Sequence, residues 1–441
     1  MKVVIVGAGF AGLKVARRLN NKPGFEVVLL DKYNYHQFQP LFYQVATAGL
    51  DASNISFPLR KMFHGSKNVS IRLADVQAID TAAESISTDI GSFNYDILIL
   101  ATGADTNFFG NASIQEHAFP MKSTTEALQL RHRLIHNFEE ALHTDTAAEL
   151  ERLMTVVVVG GGATGVELSG AIAELKRYVL PKDYPELDFN QMKIILLEGS
   201  DKTLAAMSQK SSDDSRKYLE KLGVTVMTHT IVKDYDGYQV SLQDGKLIPS
   251  SIVIWAAGIK GNVPQGIDPS LITRGNRILT DRHNKVKGFD DVYALGDVAY
   301  METPKYPKGH PQVATVAIQQ AENLAENLMR IERKSNEFYE FEYYDKGSMA
   351  TVGRNLAVVD MPKPKLHFAG FFAWLIWMGL HLFLLVGVKN RIQVFINWIF
   401  NYFTHDQSLR LIFKEFYRKE EPVTKADTTL VGQASEEHAG S

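Results

Sequence analysis

"KVVIVGAGFAG", Lys2 to Gly12, decides the fold. Four apolar residues, Val3 to Val6, run straight into glycines at positions 7, 9 and 12, and Leu13, Ala16 and Leu19 then recur at helical spacing. "FEVVLLD", Phe25 to Asp31, comes next. The order is strand, tight turn, helix, strand. In a GxGxxG turn the first glycine permits the bend, the second lets backbone approach a pyrophosphate, and the third lets helix and sheet pack closely. The helix N-terminus offers free N–H groups and a positive dipole end to phosphates. Asp31, ending the second strand, is placed to accept hydrogen bonds from an adenosine ribose. Alone the glycine pattern is weak; here strand, helix and acid all stand in the expected order.

The pattern recurs about 150 residues on, as "TVVVVGGGATGVELSG" (Thr155 to Gly170) and then "MKIILLEGS". Gly160, Gly162 and Gly165 repeat the fingerprint, and Glu198 ends the next strand. Each unit continues into a buried strand ending in small residues, "YDILILATG" and "SIVIWAAG", and a third such end is "DVYALGDVA". The fold class expected is α/β: two Rossmann-like dinucleotide-binding domains, the second inserted in the first, plus a C-terminal amphipathic helical region that anchors to a membrane. The boundaries are 1–118 with 278–350 for the first domain and 119–277 for the inserted one. The C-terminal region takes 351–418, and a polar, aperiodic tail at 419–441 reads as disordered. Asp297, at a strand end in the first domain, suits the ribityl hydroxyls of a flavin; a helix N-cap is a compatible second role. FAD therefore belongs to the first site and NADH to the inserted one. Glu198 favours ribose hydroxyls and repels an extra phosphate, so NADH is preferred over NADPH.

Composition narrows the chemistry. The 441 residues suit two or three domains, and 45% apolar with 22% charged residues is an ordinary globular balance. A net charge of −3 argues against nucleic acid as a partner. The cysteine count is zero, which excludes disulfides, thiolate metal sites and thiol redox relays. No metal-binding cluster is expected.

The segments "NYHQFQPLFYQVATAGL", "GGGATGVELSG", "LEGS", "WAAGIKG", "YALGDVA", "PQVATVAIQQ" and "HLFLLVGVKNRIQVFINW" resemble those of the type II NADH dehydrogenases, over roughly residues 1 to 415. These are single-subunit, membrane-associated NADH:quinone oxidoreductases. The resemblance implies a flavin site at Gly7, Gly9, Phe10, Ala11, Gly12, Asp31, Lys32, Val76, Thr102, Gly103, Asp297, Ala317 and Ile318. It implies an NADH site at Gly160, Gly162, Gly165, Glu198, Ala257 and Gly258. The family's AQxAxQ segment, where a quinone headgroup approaches, reads here Ala314 to Gln319: Thr315 replaces the first glutamine and reaches less far, while Gln319 keeps the amide. Glu167 is implied as part of a proton path or as an electrostatic partner. The residues alone equally allow a carboxylate placed favourably near a helix N-terminus. The reaction implied is hydride from NADH to FAD, then two electrons to a membrane quinone, menaquinone or ubiquinone, with proton uptake and no proton pumping. A soluble NADH-dependent flavin reductase or oxidase is the nearest rival. A sulfide:quinone reductase needs cysteines that this chain lacks.

Within "FAGFFAWLIWMGLHLFLLVGVKNR", Phe368 to Arg391, the run Phe368 to Gly387 is long enough to span ~30 Å of hydrocarbon. Basic residues flank it on both sides, however, and the chain after it reads as helices lying flat: Asn390, Gln393, Asn397 and Asn401 form a polar stripe opposite Val394, Phe395, Trp398, Ile399 and Tyr402. Leu409, Ile412, Phe413 and Phe416 then make an apolar face beside basic Arg410, Lys414 and Arg418. Trp374, Trp377 and Trp398 suit a membrane interface. A buried core helix and a dimer interface are the competing readings. His381 reads as a hydrogen-bonded helix residue rather than a ligand. The resemblance adds a homodimer through this region and a peripheral, monotopic location on the inner face of a respiratory membrane, in contact with its surface lipids.

Overall fold

In the computed structural model, which describes residues 1–412, the opening stretch forms the strand Lys2–Val6 and the helix Phe10–Leu19. The strand lies at the centre of a five-stranded parallel sheet ordered 292–294, 97–100, 2–6, 26–31, 69–73. Val4 pairs with Val28 on one side and Leu98 on the other. Strands buried on both faces read as continuous Val/Ile/Leu runs, and all four residues of Ile97–Leu100 are buried. The strand Val292–Ala294 closes one edge of this sheet.

Residues 155–255 build a second parallel sheet, ordered 225–227, 193–197, 155–159, 252–255. The second fingerprint helix is Ala163–Tyr178. The long interval to Glu198 is filled by this helix, a short turn Leu180–Asp183 and a loop before the strand Lys193–Leu197.

Beyond residue 347, three antiparallel strands, Ser348–Gly353, Leu356–Pro362 and Lys365–Ala369, form a small sheet laid against the second fingerprint helix. Gly170 allows this contact: a Cβ there would sit 1.6 Å from the Val352 carbonyl oxygen. His367, bridging Asp214 at 3.1 Å and Asp360 at 3.0 Å, ties the same sheet to the helix Gln209–Lys221.

The apolar stretch is not one long helix. Phe368 and Ala369 belong to a strand, the helix is Phe371–Leu384, and a second helix Val388–Thr404 starts after a break at Gly387. Fourteen residues rise about 21 Å, short of ~30 Å of hydrocarbon. No helix among the described residues is long and apolar enough to cross a membrane. Seven large apolar residues of each helix are nevertheless exposed, among them Phe372 (71%), Phe383 (71%) and Phe403 (77%).

Two expectations for this region are corrected. The polar stripe of the second helix turns inward: Asn390 is buried and its amide donates to the carbonyls of Ser53, Asn54 and Ser56 at 2.9–3.2 Å, while Asn401 donates to Gly49. Trp377 and Trp398 are likewise buried and do not form an outer belt. Both helices thus present hydrocarbon outward, and the second turns its amides inward. Residues 405–412, where the apolar and basic pattern predicts the start of an amphipathic helix, are irregular, and Arg410 is taken up by Asp183 and Asp406. Phe413, Lys414, Phe416, Arg418 and the 419–441 tail lie outside the described residues.

Candidate functional site

The two glycine turns share one design. Gly7 has φ +99° and Gly160 φ +111°; a Cβ on either would fall 2.3–2.4 Å from a carbonyl oxygen of the neighbouring strand end. A Cβ on Gly12 or Gly165 would lie 1.9 Å from the carbonyl of Gly7 or Gly160. At Gly9 and Gly162 a Cβ would meet nothing within 4 Å, so these glycines face open space at the helix N-termini. That is the space a pyrophosphate needs. The acids match too. Asp31 accepts from the Ala8 and Tyr33 amides at 2.6 and 2.7 Å, and Glu198 from the Gly161 and Ser200 amides at 2.5 and 2.7 Å. Burial pushes the Asp31 carboxyl up, against the pull of these amides and of Lys32.

A cleft of about 310 Å³ opens in front of the first turn, lined by Gly9, Phe10, Ala11, Gly103, Asp297, Ala317 and, across it, Thr164 and Glu167 of the second fingerprint helix. Asp297 lies in a short turn, Gly296–Val298, and caps no helix. Its carboxylate takes no hydrogen bond from the described residues; burial raises its pKa against the pull of Lys122 and Arg277. An unpartnered carboxylate in a cleft fronted by a bare glycine turn fits the ribityl and pyrophosphate portions of FAD. Thr102 supports the floor, donating from Oγ1 to Asn262 at 2.5 Å.

The rest of the expected set scatters. Lys32 is exposed over the Tyr33 ring, and neither it nor Val76 nor Ile318 lines the cleft. Ala257 is exposed beyond Gly160, and Gly258 accepts from the Asn107 amide. Thr315 and Gln319 turn away: Thr315 bonds the Tyr343 hydroxyl at 2.7 Å, and both ends of the Gln319 amide are held by the Tyr344 backbone at 3.0 Å. On the helix Ala314–Glu332, Ala314 and Ala317 face the cleft, and their neighbours at 315 and 319 necessarily lie on another face.

Glu167 faces two spaces at once. Behind it lies a second cavity of about 120 Å³, lined by Tyr43, Gln44, Thr351, Trp377, Trp398 and Glu174 and edged by Trp374, Met378 and Tyr402. Burial raises the Glu167 pKa to about 8, although the Thr351 amide donates to Oε1 at 3.3 Å and the Trp377 indole lies close enough to favour the charged form. The indole N–H does not reach hydrogen-bond geometry and is otherwise unpartnered. A dipole benefit does not explain this carboxylate. Glu167 lies beyond the first turn of the helix Ala163–Tyr178, where the dipole effect has faded. His381 stacks on Trp377 with ring centroids 4.1 Å apart and bonds its carbonyl through Nδ1 at 2.7 Å, as a helix residue.

Sequence reasoning passes over Tyr43, Lys122, Thr164, Gln312, Trp377 and Glu174 as site residues. Tyr43 stands in a segment that the resemblance singles out, "PLFYQVA", without a role. Glu174 stands seven residues after Glu167, which places two acids on one helical face.

Residues 1–321 match the pyridine nucleotide-disulphide oxidoreductase family, and residues 345–405 the NDH2 C-terminal domain. A type II NADH:quinone oxidoreductase of Mycobacterium tuberculosis is 36% identical over 414 residues, covering 90% of this chain and 86% of its own. One from Staphylococcus saprophyticus is 27% identical over 80% of this chain and 87% of its own. In fold, the chain is similar to NDH2 of Plasmodium falciparum solved with NADH, at a TM-score of 0.85 and 21% identity, covering 94% and 99% of the two chains. It is also similar to the sulfide:quinone oxidoreductase of Aquifex aeolicus, at a TM-score of 0.70 and 18% identity, with 91% and 95% covered. With two glycine fingerprints, no cysteine anywhere, an NDH2 C-terminal domain lining the second cavity, and a relative 36% identical over 90% of this chain, the chain belongs to the type II NADH:quinone oxidoreductases.

Proposed function

We propose that the chain oxidises NADH through FAD and reduces a membrane quinone, menaquinone or ubiquinone, whose headgroup enters the cavity behind Glu167. One observation carries this reading: Glu167 lines both the flavin cleft and a cavity whose rim, Trp374, Met378 and Tyr402, adjoins the exposed apolar helices. FAD held in the cleft would supply the two-electron chemistry that couples hydride from NADH to quinone reduction. The chain's own residues do the rest. Gly9 and Gly162 admit the pyrophosphates, Asp31 and Glu198 accept from riboses, and Asp297 holds the ribityl chain. Glu167 holds a proton near neutral pH beside the place where one is needed.

The domain division accords with the same reading: FAD on 1–118 with 278–350, NADH on 119–277, and membrane contact through 351–418. The outward Phe372, Phe383 and Phe403 support docking on the surface lipids of a respiratory membrane, from its inner face, where NADH is made available. A homodimer through 351–418 rests on the family resemblance.

Anaerobic stopped-flow tests the reading. NADH should bleach the flavin rapidly, and a quinone analogue should restore it rapidly. Bleaching without quinone-dependent recovery would overturn the second half.

A further inference from the structure

NADH, one proton and a quinone give NAD⁺ and a hydroquinone. The hydride carries both electrons and one hydrogen; the second hydrogen arrives as a proton, and its source is water. Glu167 is enclosed between the two cavities, so the proton needs a way in.

Glu174 lies on the same helix seven residues later, hence on the same face and about 10 Å further along. It lines the same cavity. Its Oε1 accepts the Arg354 amide N–H at 2.6 Å, and its other oxygen takes no hydrogen bond from the described residues. Tyr43 lines the same cavity as both acids; its phenol lies in the field of both and accepts from Gln44 at 2.8 Å, which leaves its own O–H free to donate. On the outer side the Arg354 guanidinium donates to His405 Nε2 at 2.5 Å and to the Asn401 carbonyl at 2.8 Å. His405, accepting from an arginine, is neutral, and with Tyr178, 4.7 Å away between ring centroids, it forms the rim of the cavity. The ionisable groups facing the two acids from the cavity are Tyr43, Arg354 and, at the rim, Tyr178 and His405, with Lys182 acting on His405 from outside, and Glu167 shares the cleft on its other side with Lys122 and Asp297.

We propose that Glu174 is the proton-relay residue between solvent and Glu167: it takes a proton from water at the His405 and Tyr178 rim and passes it through the cavity to Glu167. From Glu167 the proton goes to the reduced quinone oxygen, where the new O–H bond forms, and Glu167 is then reprotonated from Glu174. The relay rests on the quinone occupying this cavity.

The test uses the full-length, FAD-loaded protein in detergent, as wild type, Glu174→Gln and Met378→Trp. Glutamine keeps an acceptor for the Arg354 amide, and tryptophan at 378 narrows the cavity rim. In Glu174→Gln, flavin bleaching by NADH should match wild type. Quinone-dependent recovery should slow by roughly tenfold or more at pH 8, less at pH 6, and acquire a solvent deuterium isotope effect. Reoxidation by ferricyanide, which takes electrons without protons, should stay at the wild-type rate. Recovery as fast as wild type at pH 8 overturns the relay, and so does a loss that ferricyanide shares, since that would be structural. Met378→Trp should raise the quinone KM. If it does while Glu174→Gln behaves normally, only the relay fails; if the KM does not move, the quinone site is elsewhere and the relay falls with it.

Discussion

Replacing Glu167 with glutamine should stabilise the protein, increasingly so as pH rises. The carboxyl has an ordinary value of 4.5 and is raised to about 8, chiefly by burial. Below pH 4.5 the acid is neutral folded or unfolded and costs nothing. Between pH 4.5 and 8 the folded state keeps a proton that the unfolded chain releases, so stability falls by about 1.4 kcal/mol per pH unit. The cost reaches about 3 kcal/mol at pH 7 and levels off at about 5 kcal/mol above pH 8. Glutamine has nearly the same shape, still accepts the Thr351 amide, and carries no charge to desolvate. Thermal unfolding of the FAD-loaded variant and wild type, tracked by near-ultraviolet circular dichroism at pH 6, 7 and 9, reads the difference. At about 1 °C per kcal/mol for a chain of 441 residues, the variant should melt roughly 3 °C above wild type at pH 7, with the gap wider at pH 9 and narrower at pH 6. A variant that melts below wild type, by the ~0.3–1 kcal/mol a helix-dipole partner is worth, would refute the buried-acid account. A gap independent of pH would refute it equally. The same variant should lose quinone-dependent flavin recovery while keeping NADH-dependent bleaching, which separates the proton's role from any general damage.

Gly162→Ala should fold, because its Cβ meets only open space, yet raise the KM for NADH where the pyrophosphate approaches; steady-state kinetics decides. Gly165→Ala should not behave so, because its Cβ would lie 1.9 Å from the Gly160 carbonyl, and a loss of several kcal/mol in denaturant unfolding is expected. Glu198→Gln should narrow the preference for NADH over NADPH, read as the ratio of their kcat/KM values, by removing the charge that repels a 2′-phosphate. Asn390→Leu should strand the carbonyls of Ser53, Asn54 and Ser56 at about 1–3 kcal/mol for each left unpaired, and faster amide exchange in the helix Val388–Thr404 would report it. The triple change Phe372→Ser, Phe383→Ser, Phe403→Ser should weaken binding to lipid vesicles by orders of magnitude, since each buried phenyl contributes about 1.5–3 kcal/mol, with NADH–ferricyanide activity retained.

The parallel sheets are legible in the sequence because backbone need dictates residue type there. Val3 to Val6 and Val156 to Val159 are buried on both faces, and Gly7, Gly12, Gly160 and Gly165 stand where no Cβ fits. A motif registers such demands directly. The cleft is legible only in part, because a motif fixes which face of a helix meets the ligand only as far as its own spacing reaches. Ala314 and Ala317 face in, whereas Thr315 and Gln319, one and two residues further on, face the side chain of Tyr343 and the backbone of Tyr344. The C-terminal helices mislead for a different reason. Reading a polar stripe as outward assumes that water is the surrounding solvent. Asn390 and Asn401 point inward because their amides satisfy carbonyls at 53, 54, 56 and 49, which a phenylalanine there would leave bare. The hydrocarbon that remains must then face out, and a surface of that kind is stable only against another apolar medium. The inversion therefore marks an apolar docking face, the membrane surface of the proposed function, more clearly than does the length of the apolar stretch, whose helix Phe371–Leu384 is too short to span a bilayer. It also bears on why the cavity behind Glu167 has its aromatic rim on this side: Trp374 and Tyr402 belong to the same two helices, so under the proposed function a quinone leaving the lipid would meet the cavity without crossing water.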